Sequence, residues 1–282
     1  MIFFNKMKQV MIRYVFMISD GTGITAESLG NSLLTQFEQI EFEKQTIPYV
    51  DSIDKAEAVI TRLNDCFEET GIKPLVFMTL VNPAIGTCIK QANACVFDLF
   101  NAFLAPLEQE LNIKSSYTVG RTHGVADAKS YDQRIEAVNF ALAHDDGIKT
   151  SDYEKADIIL IGVSRCGKTP SCLYMALQFG ILAANYPFTE EEELSEFRFP
   201  EILRPYKSKL FGLTIDASRL QQIRTERRPN SQYASSEQCR LEVSEVEAMY
   251  RRENIPFLNS TRYSIEEITT KIMAAAGLKR KL

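Results

Sequence analysis

The chain has 282 residues and a formal net charge of -5; 45% of its residues are hydrophobic and 24% charged. That is an average soluble composition, long enough for one large α/β domain or two ordinary ones whose cores need no staples. The mildly acidic balance excludes a protein that coats nucleic acid, because such binding draws on many Lys and Arg contacts to phosphates. Six cysteines without a CxxC pair, and only two histidines, His123 and His144, exclude a classical zinc cluster. They read as reduced, mostly buried thiols of a cytoplasmic protein.

Lys6 and Lys8 precede an apolar run from Val10 to Ile18. Arg13 interrupts this run, no small-residue cleavage site follows, and it is too short to span a membrane. A buried first strand over Val10–Ser19 is expected instead. Met1–Met7 reads as an extension, with Met7 or Met11 as the alternative start. A helix follows over Ile24–Phe37, with Leu29, Leu33 and Phe37 four apart, then a short strand over Thr46–Val50. Asp54–Glu69 is helical and Pro74–Leu80 a strand. Pro83 suits a first helical turn, so a helix is expected from there to about Phe103. Tyr131–Ala143 is another helix. His144-Asp-Asp-Gly and the polar stretch Lys149–Lys155 then break the rhythm, which places a boundary between a domain of residues 1–148 and one of residues 149–282.

The second half restarts with Ala156–Val163, a continuous apolar run that suits a strand buried on both faces. Helix is expected over Pro170–Phe179, 217–228 and 235–252, with Ser235 and Gln238 spaced as a capping box. Strands are expected at Ile181–Ala184, Lys209–Asp216 and Ile255–Leu258, and Ser264 with Glu267 caps a last helix. The alternation gives an α/β fold: an N-terminal α/β domain followed by a P-loop kinase-like α/β domain with a mostly parallel sheet.

Gly162-Val163-Ser164-Arg165-Cys166-Gly167-Lys168-Thr169 fits the pattern G-x-x-x-x-G-K-S/T between a buried strand and a helix. The glycines let backbone N–H groups turn inward around an anion. Lys168 puts a point charge on the terminal phosphates, Thr169 offers a hydroxyl to Mg²⁺, and the helix aims its positive end at the same place. Arg165, inside the loop, is placed for a phosphate contact. Asp216, at the end of a strong strand, is the candidate acid for the magnesium shell; as an Asp before a helix it is equally a candidate N-cap. Arg219, Arg224, Arg227 and Arg228 follow on one helix, and spacing alone favours a solvated basic face over a role in neutralising transferred charge. In the first half, Asp20-Gly21-Thr22-Gly23 ends a strand where open α/β sheets bind ligands, which leaves a second anion site or a plain glycine turn. His123 and His144 are loop histidines, read as surface residues or as general bases.

Several separated stretches together resemble the bacterial regulatory proteins of phosphoenolpyruvate synthetase and of pyruvate, phosphate dikinase. They are Ser-Asp-Gly-Thr-Gly-Ile-Thr-Ala-Glu from Ser19, His-Asp-Asp-Gly from His144, Gly-Val-Ser-Arg-Cys-Gly-Lys-Thr-Pro from Gly162 and Ala-Asn-Tyr-Pro-Phe from Ala184. Leu-Phe-Gly-Leu-Thr-Ile-Asp from Leu210 and Glu-Arg-Arg-Pro-Asn-Ser from Glu226 complete the set. The likeness runs from about Arg13 to Ile272 and is closer to the phosphoenolpyruvate synthetase branch. It implies a bifunctional enzyme that phosphorylates a threonine of the dikinase with ADP as donor, inactivating it. The same enzyme would remove the phosphate by attack of inorganic phosphate, releasing pyrophosphate and restoring activity.

The resemblance carries the nucleotide role onto Gly162 through Thr169. Lys168, Asp216 and Arg165 remain the catalytic candidates from physical argument. ADP, inorganic phosphate and Mg²⁺ are the expected small partners. The dikinase is the expected protein substrate, and a homo-oligomer in the cytoplasm is the expected state, with neither nucleic acid nor membrane as partner. A P-loop kinase acting on a small molecule and a non-catalytic ADP sensor are the competing readings.

Overall fold

The computed structural model describes residues 11–118, 128–145, 150–188 and 199–282. The expectations for Met1–Met7 and His123 lie outside the described residues. The chain divides into two compact units, Met1–Gly124 and Val125–Leu282.

The first unit runs β1 (Met11–Ser19), α1 (Ile24–Leu34), β2 (Ile40–Ile47), α2 (Ile53–Thr70), β3 (Leu75–Thr79), α3 (Pro83–Ile89), β4 (Cys95–Asp98) and α4 (Leu99–Leu111). Its sheet has the order β2-β1-β3-β4, every pair parallel. Successive side chains of a strand point to opposite faces. Phe16 and Ile18 accordingly join a cluster with Val59 and Leu63 of α2 and Ile85 and Ile89 of α3. Val15 and Met17 join one with Ala26 and Leu34 of α1 and Leu99 of α4. A strand buried on both faces must read as a continuous apolar run, and β1 does so from Tyr14 to Ile18, past Arg13.

Two expectations fail here for one reason. The helix foreseen from Pro83 to Phe103 is two helices with β4 between them. Asn82 caps α3 by accepting from the Ala84 N–H, and α3 ends at Ile89. Residues 95–98 then pair with β3 as an edge strand, and Asp98 caps α4 by accepting from the Asn101 N–H. Strand β2 begins six residues before its expected start, because Glu41, Glu43, Lys44 and Gln45 are exposed and hide the pattern. Edge strands are paired on one side only, and their sequences carry less of the apolar signal than inner strands.

The second unit runs α5 (Ala128–Ala143), β5 (Ile158–Gly162), α6 (Lys168–Phe179), β6 (Ala183–Pro187), β7 (Leu210–Thr214), α7 (Ala217–Arg227), α8 (Ser236–Glu253), β8 (Phe257–Asn259) and α9 (Ile265–Ala275). Its sheet has the order β6-β5-β7-β8, again all parallel. All five residues of β5 and all five of β7 are buried. The boundary between units falls at Gly124/Val125, 24 residues before the expected one. Ala137 and Ala141 of α5 belong to the core of the second unit. The polar stretch at the expected boundary contains Tyr153, which is fully buried and donates its hydroxyl to the Asn185 carbonyl at 3.3 Å.

The Ser264–Glu267 capping box of α9 is present in full. That of α8 is half present: Ser235 accepts from the Gln238 N–H at 3.1 Å, while the Gln238 amide reaches Glu242 instead. In both sheets the chain leaves an inner strand for one neighbour and later returns on its other side. The topological switch points therefore lie at the C-terminal ends of β1 and β5, where open α/β sheets hold their ligands.

Candidate phosphate-binding site

Residues 162–169 link β5 to α6 at the second switch point. Gly162 has φ 154°, and a Cβ there would lie 2.3 Å from the Leu213 carbonyl oxygen, so β7 passes too close for any side chain. Gly167, the N-cap of α6, has φ 98°. Between them Arg165 is exposed and sits at φ 77°. Alternating backbone hands of this kind turn N–H groups towards a common centre. Cys166 is buried, and its carbonyl accepts from Ser260 Oγ at 2.9 Å, which also donates to the Thr214 carbonyl at 3.1 Å. One serine thus ties the loop to the end of β7.

Lys168 is 5% exposed and donates to the carbonyls of Gly162 and Val163, both at 2.9 Å. A buried ammonium needs such partners. They hold its charge inside the loop, within side-chain reach of an anion placed there. Thr169 donates to Asp145 Oδ1 at 2.7 Å, and Asn185 donates its side-chain N–H to Thr169 Oγ1 at 3.0 Å and to Asp145 Oδ1. Asn185 also anchors its neighbour: its backbone N–H donates to the His144 carbonyl at 3.0 Å. The middle of β6 therefore sets the carboxylate of Asp145 beside the hydroxyl of Thr169.

The acid that the structure sets beside Thr169 is not Asp216. Asp216 stands at the N-cap of α7 but makes no side-chain capping bond. It is exposed, accepts from Asn259 Nδ2 at 2.8 Å, and its backbone N–H donates to Thr261 Oγ1 at 2.7 Å. The carboxylate that touches Thr169 is Asp145. Its signal was present in His-Asp-Asp-Gly, where only the histidine was weighed. His144 is not a surface residue. It is 3% exposed, stacks on Phe140 with ring centroids 4.0 Å apart, and its Nδ1 lies 2.8 Å from the Phe140 carbonyl. A carbonyl only accepts, so Nδ1 carries the proton.

The basic helix also divides. Arg219, Arg227 and Arg228 are exposed, and Arg219 donates to Gln222. Arg224 is 1% exposed and clamps Glu242 through two bonds of 3.0 and 2.6 Å, so it belongs to no solvated face. In the first unit, the groups of the Ser19–Gly23 turn are engaged locally. Asp20, 8% exposed, accepts from the Val81 N–H at 2.6 Å, and Ser19 Oγ accepts from the Gly21 N–H and from Thr79 Oγ1, both at 3.1 Å. Burial raises the Asp20 pKa against the opposing Val81 bond.

A hydroxyl and a carboxylate meet here on the first turn of α6, braced by the Asn185 side-chain N–H. Mg²⁺ is held through one or two carboxylates together with phosphate oxygens, and this donor set fits it. Among the described residues no helix is long and apolar enough to cross a membrane.

Three bacterial relatives carry the words "phosphoenolpyruvate synthase regulatory protein" in their names. One from Legionella pneumophila is 76% identical over 272 residues, covering 96% of this chain and all of the relative. One from Marinobacter nauticus is 57% identical over 270 residues, 96% of this chain and 99% of the relative. One from Hahella chejuensis is 56% identical over 272 residues, 96% and 100%. The model of the kinase/pyrophosphorylase family matches residues 15–273, and with this span the chain belongs to that family.

Proposed function

We propose that the protein is a bifunctional regulator of phosphoenolpyruvate synthetase. In one direction it transfers the β-phosphoryl group of ADP to a threonine hydroxyl of the synthetase. The hydroxyl oxygen gains a P–O bond, the bond to the AMP leaving group breaks, and the proton goes to a base. In the other direction inorganic phosphate takes the same phosphoryl group from the threonine and leaves as pyrophosphate. The names of the relatives support the choice of target. The observation that carries the chemistry is the loop at Gly162–Thr169, with the buried Lys168 and the Thr169–Asp145 contact at its end.

The loop amides and Lys168 hold the diphosphate, and both directions use them, because ADP and pyrophosphate share that group. Thr169 and Asp145 are the residues that would hold Mg²⁺, which when bound neutralises charge on the phosphate oxygens. Arg165 is exposed at the loop and is available to the transferred group. Water must be kept from the phosphorus, or ADP would be hydrolysed.

The test uses synthetase phosphorylated on its catalytic histidine and ADP labelled on the β-phosphate. Acid-stable label is expected on a synthetase threonine, and added phosphate should release it as pyrophosphate. Lys168→Ala should lower transfer roughly a hundredfold or more while leaving the fold intact. Label arriving only from γ-labelled ATP, or normal transfer by folded Lys168→Ala, would overturn the reading.

A further inference from the structure

Arg224 is a guanidinium buried to 1% exposure on α7, far along the chain from the loop it meets. Its two terminal nitrogens do more than pair with Glu242. One donates to the Tyr233 carbonyl at 3.0 Å, and the other donates to the Ser164 carbonyl at 3.3 Å across 60 residues of sequence. The guanidinium also lies over the Tyr233 ring, 4.0 Å from its centroid. The Tyr233 hydroxyl is 3.0 Å from Ser164 Oγ. Glu242 is itself held by Gln238 at 3.0 Å.

Stability alone is a poor reason for such an arrangement. Burying an ion pair costs about as much in lost hydration as the pair returns, and apolar pairs of similar volume often do as well or better. The contact to Ser164 has a more specific consequence. A peptide group is planar and trans, so its C=O and N–H point in opposite directions. Holding the Ser164 carbonyl towards α7 turns the N–H of Arg165 the other way. The same peptide leads into Arg165 at φ 77°, a conformation that L side chains resist. Non-glycine residues in this region persist where their surroundings over-determine them, at a cost of order 1–3 kcal/mol.

The geometry points to Arg224 as a positioning residue for the phosphate loop. Backed by Glu242 and Tyr233, it fixes the Ser164–Arg165 peptide so that the Arg165 N–H is presented to phosphate. Arg224 touches no phosphate itself. The inference rests on the phosphate-binding reading of the loop and names what keeps that loop in its binding shape.

The test compares three full-length variants with the native chain. Arg224→Lys keeps the charge but loses the fork. Arg224→Met combined with Glu242→Met removes the ion pair and keeps an apolar interior. Tyr233→Phe deletes only the hydroxyl facing Ser164. Folding is followed by circular dichroism, binding of ADP and of adenosine by calorimetry, and transfer by kcat and KM with labelled ADP. Folded variants of Arg224 should bind ADP about tenfold more weakly or worse and bind adenosine unchanged, with kcat down roughly tenfold to a hundredfold. Tyr233→Phe should move the same quantities in the same direction by less. A folded double variant with ADP affinity and kcat within about twofold of native would overturn the inference. So would equal losses for ADP and adenosine, which would mark a general structural role. Failure of the native chain to bind ADP or pyrophosphate would instead overturn the phosphate reading of the loop, and this inference with it.

Discussion

Thr169 ties three elements together through one hydroxyl: it sits in the first turn of α6, donates to Asp145 just past α5, and accepts from Asn185 on β6. That contact sets Asp145, and not Asp216, beside the loop. Asp145→Asn should lower phosphoryl transfer about a hundredfold and raise the Mg²⁺ concentration needed for half-maximal rate, because the anionic oxygen beside Thr169 is lost. Asp216→Asn should change either quantity less than about threefold, since it removes no contact to the loop. Initial rates of label transfer against Mg²⁺ decide between them, and the opposite ranking would return the role to Asp216. From sequence the reverse choice was reasonable, because an acid closing a strongly apolar strand is where P-loop enzymes often keep one. Asp145 lies in a polar stretch that reads as a break, and nothing local says it will meet a residue 24 positions later.

Elements with their own caps or an inner position were legible, and the two edge strands of the first unit were less so. β5, β7 and the capping box of α9 followed from local pattern. β2 and β4 did not, because a single pairing partner replaces the apolar run as their cause. The end of α4 shows how local charge secures a segment. Glu108 accepts from the Ser115 N–H at 2.8 Å, from Lys114 Nζ at 2.9 Å and from the Tyr117 hydroxyl at 3.2 Å. The Ser115 bond first, and Lys114 next, hold its carboxyl down to about 2, against an ordinary 4.5. A depressed carboxylate stabilises the folded form above its unfolded pKa and ceases to do so as pH falls through the folded one. Protection of the Ser115 amide from exchange should therefore be full above pH 4.5 and lost towards pH 2. Glu108→Ala should lose it at pH 7, by roughly tenfold or more in exchange rate. Protection that is unchanged in Glu108→Ala would show that the tether holds nothing.

At the scale of the molecule, each unit has its own interior. Among the described residues, the larger core draws on residues from Ala137 onward. Among the described residues, the two clusters around β1 draw on residues up to Leu99. Leu160 and Leu63 are both fully buried, one in each. Leu160→Ala and Leu63→Ala should each cost about 2–5 kcal/mol. Hydrogen exchange should show the lost protection first in the unit that carries the substitution. Loss that begins in the other unit would mean that the cores are not energetically separate.

The sequence by itself determined the α/β alternation, the loop from Gly162 to Thr169, its place between a buried strand and a helix, and membership of the family. Each of these is written in contiguous residues, because apolar runs, glycine hands and capping pairs act over a few positions. Only the tertiary structure decided that Asp145 and Asn185 converge on Thr169, that Ser260 holds Cys166, and that Arg224 holds Ser164. Those contacts span 24, 16, 94 and 60 residues. They exist because β6 and β7 flank β5 in the sheet, an order set by how the helices cover its two faces rather than by any local run of residues.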